Sequence, residues 1–284
     1  MRFYKAHGLG NDFVLLWEDE APRNTDWGLT AKTICDRHTG IGADGILLLS
    51  PCGNADFFMS VYNSDGSRAQ MCGNGIRCAA LTARLSGRAA GDEMTVDTLS
   101  GLQRIRLDMT GSDALVTVNM GQPVFTREAL AIKDPGIDPD DVVLTVGGEE
   151  VTVHSVFMGV PHGIVFTDDV SREHVAALGP GIEKHPVFTE GINADFVRVE
   201  EDGSLTIRTW ERGAGPTLAC GTGACAAAVI HERMTGAAGP RVVRPLLGAM
   251  TIERRPDGVY MTGPAQIVCT GDVDTGRYFS LKEA

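Results

Sequence analysis

Apolar positions along the chain fall into short blocks separated by glycine-rich turns, with two longer stretches at helical spacing. Phe13 to Trp17 follows a Gly-Asn-Asp turn and predicts a strand; Ile46 to Leu49 and Phe57 to Tyr62 predict two more. Asn63-Ser64-Asp65-Gly66-Ser67 is a turn cluster. From Gly73 the period changes. Ile76, Ala79, Ala80 and Ala83 share one helical face, and Gly87 stands where a C-terminal cap belongs. Strands are predicted again at Met94 to Val96, Leu102 to Leu107 and Leu115 to Val118. A Pro/Asp loop at 134–141 opens a second region, with strands at Val151 to Met158, Gly163 to Phe166, Ile192 to Val199 and Leu205 to Trp210. An Ala-rich helix then runs from about Thr222 to Gly236.

The pattern contains an internal repeat. Tyr62 ends a strand, a Gly-containing loop follows, and Cys72-Gly-Asn-Gly opens an Ala-rich helix; Trp210, a Gly-containing loop and Cys220-Gly-Thr-Gly do the same later, with equal spacing from aromatic to cysteine. Two halves built alike predict two similar domains, here placed at 1–120 completed by 266–284, and at 121–265. Equivalent loops would then meet at a cleft, where small ligands bind preferentially.

Composition narrows the function. With 25 basic and 37 acidic residues the formal charge is −12, which argues against nucleic-acid binding and against docking on anionic membranes. The first residues carry no apolar signal core, and no segment approaches the ~18 apolar residues of a membrane span. The expected location is the cytoplasm, where seven cysteines read as reduced thiols. The 35 glycines suit a β-rich α+β chain better than a helix bundle.

Each repeated cysteine sits just before the first turn of a helix, where unpaired N–H groups and the helix dipole favour a thiolate and hold carboxylates. Two such ends facing one another would place a sulfur on each side of an α-carbon, an arrangement for removing a proton from one face and returning one to the other. The bland alternative, a small residue buried before a helix, loses force when the motif occurs twice. Zinc binding is disfavoured: the pairs Cys72/Cys78 and Cys220/Cys225 have five and four intervening residues and run into helices. Cys78 and Cys225 read as buried helix residues, and Cys35, Cys52 and Cys269 as packing. A phosphate loop is also disfavoured, since neither Gly-x-Gly has the full glycine spacing.

His7-Gly-Leu-Gly-Asn11-Asp-Phe13, Gly40-Ile-Gly-Ala-Asp44, Asn63-x-Asp65-Gly66-Ser67, Cys72-Gly-Asn-Gly-x-Arg-Cys78, Gly159-x-Pro161-His162, Glu211-Arg212-Gly-Ala-Gly and Cys220-Gly-Thr-Gly-Ala-Cys225 stand in the order found in diaminopimelate epimerases. The chain resembles that family over nearly its whole length. The resemblance implies two pseudo-symmetric α/β domains, each a β-barrel-like sheet around a central helix, with the active site between them. It implies interconversion of L,L- and meso-diaminopimelate in lysine and peptidoglycan biosynthesis, without pyridoxal phosphate, metal or other cofactor, by a homodimer whose only ligand is a small amino acid. Carried over by motif, Cys72 and Cys220 are the acid/base thiols, with His162 and Glu211 adjusting their protonation. The N–H groups of Gly73, Asn74, Gly221 and Thr222 would hold the reacting carboxylate beside Asn11. Asn63, Asn193 and Arg212 would bind the distal amino-acid head. His7, Asp12, Asp44 and Arg77 match family motifs and read as structural.

Two positions depart from the family pattern. Val160 stands where many members have Asn before Pro-His, and Gly45 where many have Gln. Loss of the Asn weakens the case for the distal head and favours a racemase of another amino acid, such as histidine or proline, on the same fold; Asn63 and the Glu211-Arg212 pair oppose that. The phenazine-biosynthesis isomerase type lacks the two thiols. A non-catalytic zinc- or thiol-rich binding protein is the remaining alternative from another class.

Overall fold

The computed structural model describes residues 1–282 and divides the chain into two compact units, Met1–Val118 with the returning segment from Gly263, and Asn119–Thr262. The sequence-based division lay at 120/121 and 265/266. The fold is α+β.

In the first unit the elements are β1 (Arg2–Gly8), β2 (Asn11–Trp17), α1 (Trp27–Cys35), β3 (Gly45–Ser50), β4 (Phe57–Asn63), β5 (Arg68–Ala69), α2 (Gly73–Leu85), β6 (Glu93–Asp97), β7 (Gln103–Thr110) and β8 (Asp113–Asn119). β1 and β2 are antiparallel, β2 and β3 parallel, β3 and β4 antiparallel, and β4 and β6 parallel. β7 and β8 continue antiparallel.

The second unit comprises β9 (Val142–Val146), β10 (Glu149–Phe157), β11 (Pro161–Phe166), α3 (Arg172–Glu183), β12 (Asn193–Val199), β13 (Leu205–Glu211), β14 (Gly215–Pro216), α4 (Gly221–Thr235), β15 (Arg241–Arg244), β16 (Met250–Arg255) and the start of β17 (Gly258–Asp272). A short helix α5 (Thr275–Tyr278) follows in the returning segment. Pairings from β10 through β17 repeat those from β1 through β8 in kind and order.

Each sheet curls until its ends are joined, which leaves no long open edge. In the first unit β8 pairs with β17, whose residues from Gln266 to Asp272 in turn pair with β1. In the second, residues 119–124 lie between β17 and β10: Met120 donates to the Val259 carbonyl at 2.7 Å, and Val124 bridges to Phe157. Each sheet wraps one central helix. Ile76, Cys78, Ala79, Ala80, Leu81 and Ala83 of α2 are fully buried, as are Ala224, Cys225, Ala226 and Ala227 of α4. A helix apolar on all sides is stable only when enclosed. The small alanines let strands approach it from several directions. Left-handed Gly87 follows α2 and left-handed Gly236 ends α4.

Two helices, α1 and α3, lie where the apolar pattern predicts none. The side chain of Asp26 caps α1 by accepting from Leu29 N–H at 3.0 Å, and Ser171 caps α3 by accepting from His174 N–H at 3.2 Å. α3 carries Gly179-Pro180-Gly181, residues that ordinarily break helices. Packing explains the glycines: a Cβ on Gly179 would come within 2.7 Å of the Trp210 ring, and one on Gly181 within 2.4 Å of Val146.

Candidate active site

The thiol of each repeated cysteine caps the helix that follows it. Cys72 Sγ accepts from Gly75 N–H at 3.3 Å, and Cys220 Sγ from Gly223 N–H at 3.4 Å. Both residues have extended backbone at the N-cap, so the next amides, of Gly73 and Asn74 and of Gly221 and Thr222, form the open end of a helix. Such an end is a ready site for a carboxylate.

In the first unit, Asn11 links three groups. Its Oδ1 is 3.6 Å from Cys72 Sγ and accepts from Asn74 Nδ2 at 3.4 Å, while its Nδ2 donates to Asp44 at 2.8 Å. Asp12 is ion-paired with Lys5 and Arg37, and burial of its carboxylate is outweighed by their hydrogen bonds, so its pKa is lowered. Arg77 is fully buried, with Nη2 donating to Asn74 Oδ1 at 2.9 Å, Nη1 to the Gly73 carbonyl at 3.1 Å and Nε to the Pro264 carbonyl at 3.1 Å. Asp12, Asp44 and Arg77 thus hold the frame around Cys72 and Asn74. Asn63 is exposed at the end of β4 and donates to Ser67 at 2.9 Å.

The second unit has a denser polar network. His162 Nδ1 is 2.6 Å from Asp195 Oδ2, and its Nε2 is 2.9 Å from Thr222 Oγ1 and 3.4 Å from Asn193 Nδ2. Thr222 Oγ1 in turn lies 3.4 Å from Cys220 Sγ. Asn193 Oδ1 accepts the Arg212 backbone N–H at 2.7 Å. The Arg212 side chain is exposed, and its Nη1 donates to the Glu190 carbonyl at 2.7 Å. Glu183, which the sequence reading missed, fixes this loop: it accepts from Trp210 Nε1 at 2.7 Å and from Gly213 N–H at 3.0 Å.

The expectation that the helix end lowers the pKa of each thiol is corrected at Cys220. Burial pushes this thiol well above its ordinary range, and the nearby carboxylates Glu211 and Asp195 push it further, more than the Gly223 amide and Thr222 hydroxyl lower it. Cys220 therefore rests as the thiol. Glu211 is itself raised by burial, although Thr217 donates to it at 2.5 Å and Cys220 is a further hydrogen-bond partner. Cys78 and Cys225 are buried as expected. Cys269 is exposed, so the packing role assigned to it is wrong; it lies on the outer part of β17.

A raised carboxyl favours the folded state most below its unfolded pKa and loses that contribution as pH rises through its folded value. Glu211→Gln keeps an acceptor for Thr217 and removes the ionisation. Its melting temperature is therefore expected to exceed that of the unsubstituted protein at pH 8, with the gap closing toward pH 4; scanning calorimetry at both pH values checks this.

Strand register reveals which positions of the two units correspond. Leu47 faces Val61 as Asp195 faces Thr209, and Phe13 faces Gly45 as His162 faces Asn193. Counting back from Phe13 and His162, Asn11 corresponds to Val160. The two departures noted in the sequence thus fall at matched places: Val160 answers Asn11, and Gly45 answers Asn193. Gly45 has a packing reason, since a Cβ there would sit 2.5 Å from the Tyr62 carbonyl oxygen.

Comparison with known proteins agrees with this geometry. The family model for diaminopimelate epimerase matches residues 3–126 and 154–268. A diaminopimelate epimerase of Desulforudis audaxviator (strain MP104C) is 43% identical over 274 residues, covering 95% of this chain and 98% of that protein. One of Moorella thermoacetica (strain ATCC 39073 / JCM 9320) is 43% identical over 276 residues, covering 96% and 99%. Among solved structures, a probable proline racemase from Agrobacterium radiobacter K84 aligns with a TM-score of 0.71 at 16% identity, covering 96% of this chain and 92% of that one. A hydroxyproline epimerase from Agrobacterium vitis aligns at 0.69 and 17%, covering 95% and 91%; these two show the fold. With its repeated helix-capping thiols, matching family model and full-length relatives, the chain belongs to the diaminopimelate epimerase family.

Proposed function

We propose that this protein interconverts L,L- and meso-diaminopimelate by transferring the α-proton between two thiols. The observation that carries the reading is the recurrence of one arrangement, Cys72 in one unit and Cys220 in the other each capping the enclosed central helix of a unit with the same topology. In the reaction one sulfur, as thiolate, takes the α-proton, and the other, as thiol, delivers a proton to the opposite face. The protonated resting state of Cys220 suits it to the donor role. The N–H groups of Gly73, Asn74, Gly221 and Thr222 hold the carboxylate on which charge builds, a placement in which each donor is worth ~2.7–4 kcal/mol in the transition state. His162 and Glu211 set the protonation of the thiols. Asn11 orients the reacting end, and Asn63, Asn193 and Arg212 take the distal head, Arg212 by its planar fork. No cofactor or metal enters the scheme. A cytoplasmic homodimer serving lysine biosynthesis completes it.

Val160 supports a second reading, a racemase acting on another amino acid, because the position answering Asn11 has no polar side chain. Under the main reading, Val160→Asn restores one hydrogen bond to a charged group and lowers KM for diaminopimelate by about tenfold; steady-state kinetics checks this. The function itself is tested by incubating the reduced protein with L,L-diaminopimelate and, separately, with histidine, proline and lysine, followed by chiral chromatography. Inversion of diaminopimelate alone supports the main reading. Inversion of another of these amino acids instead would transfer the assignment to the second.

A further inference from the structure

α1 and α3 occupy the same place in the two units, each joining a pair of parallel strands, yet they end differently. α1 ends on Cys35, a buried thiol, and α3 on Glu183, a buried carboxylate. The aromatic residues ten positions before the repeated cysteines differ as well: Tyr62 has no ring N–H, and Trp210 has one. A buried carboxylate is costly unless its oxygens are met. Here both are, Oε2 by Trp210 Nε1 at 2.7 Å and Oε1 by the Gly213 amide at 3.0 Å. Carboxylate and indole thus occur together, and only in the unit whose loop carries Arg212. The first unit builds the same topology with neither, so the fold alone does not demand the pair.

The bonds converge on the backbone of Arg212. Asn193 Oδ1 accepts the Arg212 N–H at 2.7 Å, and Glu183 Oε1 takes the N–H of the next residue. Peptide planes are rigid, so holding the one on each side of a Cα fixes both torsions between them. Glu183 also fixes the segment under the guanidinium. Its main-chain carbonyl accepts from Ile192 N–H at 3.1 Å, which closes residues 183–192, and within them the Glu190 carbonyl takes Arg212 Nη1 at 2.7 Å. A Cβ on Gly191 would stand 3.0 Å from the Glu183 carbonyl oxygen and 3.1 Å from Arg212 Cδ, so the chain carries no side chain where the two meet. Burial raises the pKa of the Glu183 carboxyl, but the Trp210 and Gly213 donors and the charges of Lys184 and Arg212 outweigh it, so the pKa is lowered. The group is therefore an acceptor-only carboxylate.

We propose that Glu183 is a positioning residue for substrate selection: by clamping the backbone that follows Arg212, it holds the guanidinium ready for the distal carboxylate and so sets the affinity for substrates that carry one. This rests on the reading of Arg212 as the group that takes the distal head. A guanidinium meets a carboxylate through two parallel bonds only when its plane is held. On a loosened loop the same arginine is ordered at the moment of binding, and that cost weakens the complex. Glu183 makes no hydrogen bond to Cys220 or to the helix-end amides of α4. Its effect therefore falls on binding and leaves proton transfer intact.

The test is steady-state kinetics on L,L-diaminopimelate with Glu183→Gln, Arg212→Ala and the double variant. Glutamine keeps one acceptor and presents NH₂ to the other donor, so one of the two bonds is lost. KM is expected to rise about tenfold, as for one hydrogen bond to a charged group, with kcat changed by less than about threefold. In the Arg212→Ala background the same substitution is expected to change KM by less than about twofold, because the group it positions is gone. A merely structural role would raise KM by the same factor in both backgrounds. That result, or a KM for Glu183→Gln within about twofold of the unsubstituted protein, overturns the proposal. Amide exchange by NMR reads the clamp without substrate: the Gly213 N–H is expected to exchange about tenfold faster in Glu183→Gln, and equal rates overturn the proposal. If Glu183→Gln does not fold, Trp210→Phe, which removes the ring N–H, carries the same comparison, with a rise in KM of about threefold expected and its disappearance in the Arg212→Ala background. The parent reading fails separately, and the proposal with it, if Arg212→Ala alone leaves KM unchanged.

Discussion

Cys220→Ala is expected to lower inversion of diaminopimelate by about 10³–10⁴-fold, and Cys72→Ala by a similar factor, the range in which a positioned acid or base contributes. The argument is one of roles. Inversion needs a base on one face and an acid on the other, so loss of either sulfur removes one of the two steps, while the remaining helix-end amides and side chains still bind substrate. Each variant should therefore keep a KM near that of the unsubstituted protein. Each retains a thiol able to abstract from only one stereoisomer, so slow α-proton exchange without inversion is the expected residue of activity. Stereoisomer analysis by chiral chromatography and exchange in D₂O by NMR read the two quantities separately. Either variant inverting diaminopimelate at more than about a tenth of the normal rate contradicts the two-thiol scheme. Substitution by alanine is structurally mild: the cap contact from Gly75 or Gly223 is lost, at a cost typical of an N-cap, ~1 kcal/mol.

Arg77→Leu is the second large expected effect, and it acts on stability first. The guanidinium is fully buried and joins the start of α2 to the returning segment through Pro264. It also holds the Gly73 carbonyl and the Asn74 side chain. Leucine fills part of the volume but donates nothing. Buried acceptors left unmet cost ~1–3 kcal/mol each, so a loss of about 3–5 kcal/mol is expected, read as a drop of roughly 10 °C in melting temperature. Asn74, released from Arg77, no longer presents its amide to Asn11, so activity falls in the fraction that stays folded. An unchanged melting temperature would show that the buried cation costs as much as its hydrogen bonds return.

Much of the architecture was legible in the chain because it was written twice. The aromatic, loop, Cys-Gly-x-Gly and Ala-rich helix recur at equal spacing, and the structure turns that repeat into two units of one topology around α2 and α4. The strands with plain apolar runs, β2 to β4 and β10 to β13, fall where the pattern placed them. α1 and α3 were not legible. Gly179, Pro180 and Gly181 argue against a helix by local propensity, and only the later placement of Trp210 and Val146 shows why glycine is required there. At the site, the motifs located the thiols and helix ends, but the sequence could not give the burial that keeps Cys220 protonated. Asp195 was missed for a related reason. It lies two residues after Asn193, on the same face of β12, between Ala194 and Phe196. Aligning the repeat strand by strand would have exposed it as a carboxylate standing where the first unit has Leu47.

The central claim, that two different groups handle the α-proton on its two faces, is tested most directly by a single turnover of L,L-diaminopimelate in D₂O. The account predicts that meso product carries deuterium at the inverted α-carbon, while recovered L,L substrate carries essentially none, because the abstracting thiol holds the original proton and the opposite thiol delivers deuterium from solvent. Meso product that retains the original proton at that carbon would mean one group serves both faces, and would contradict the account.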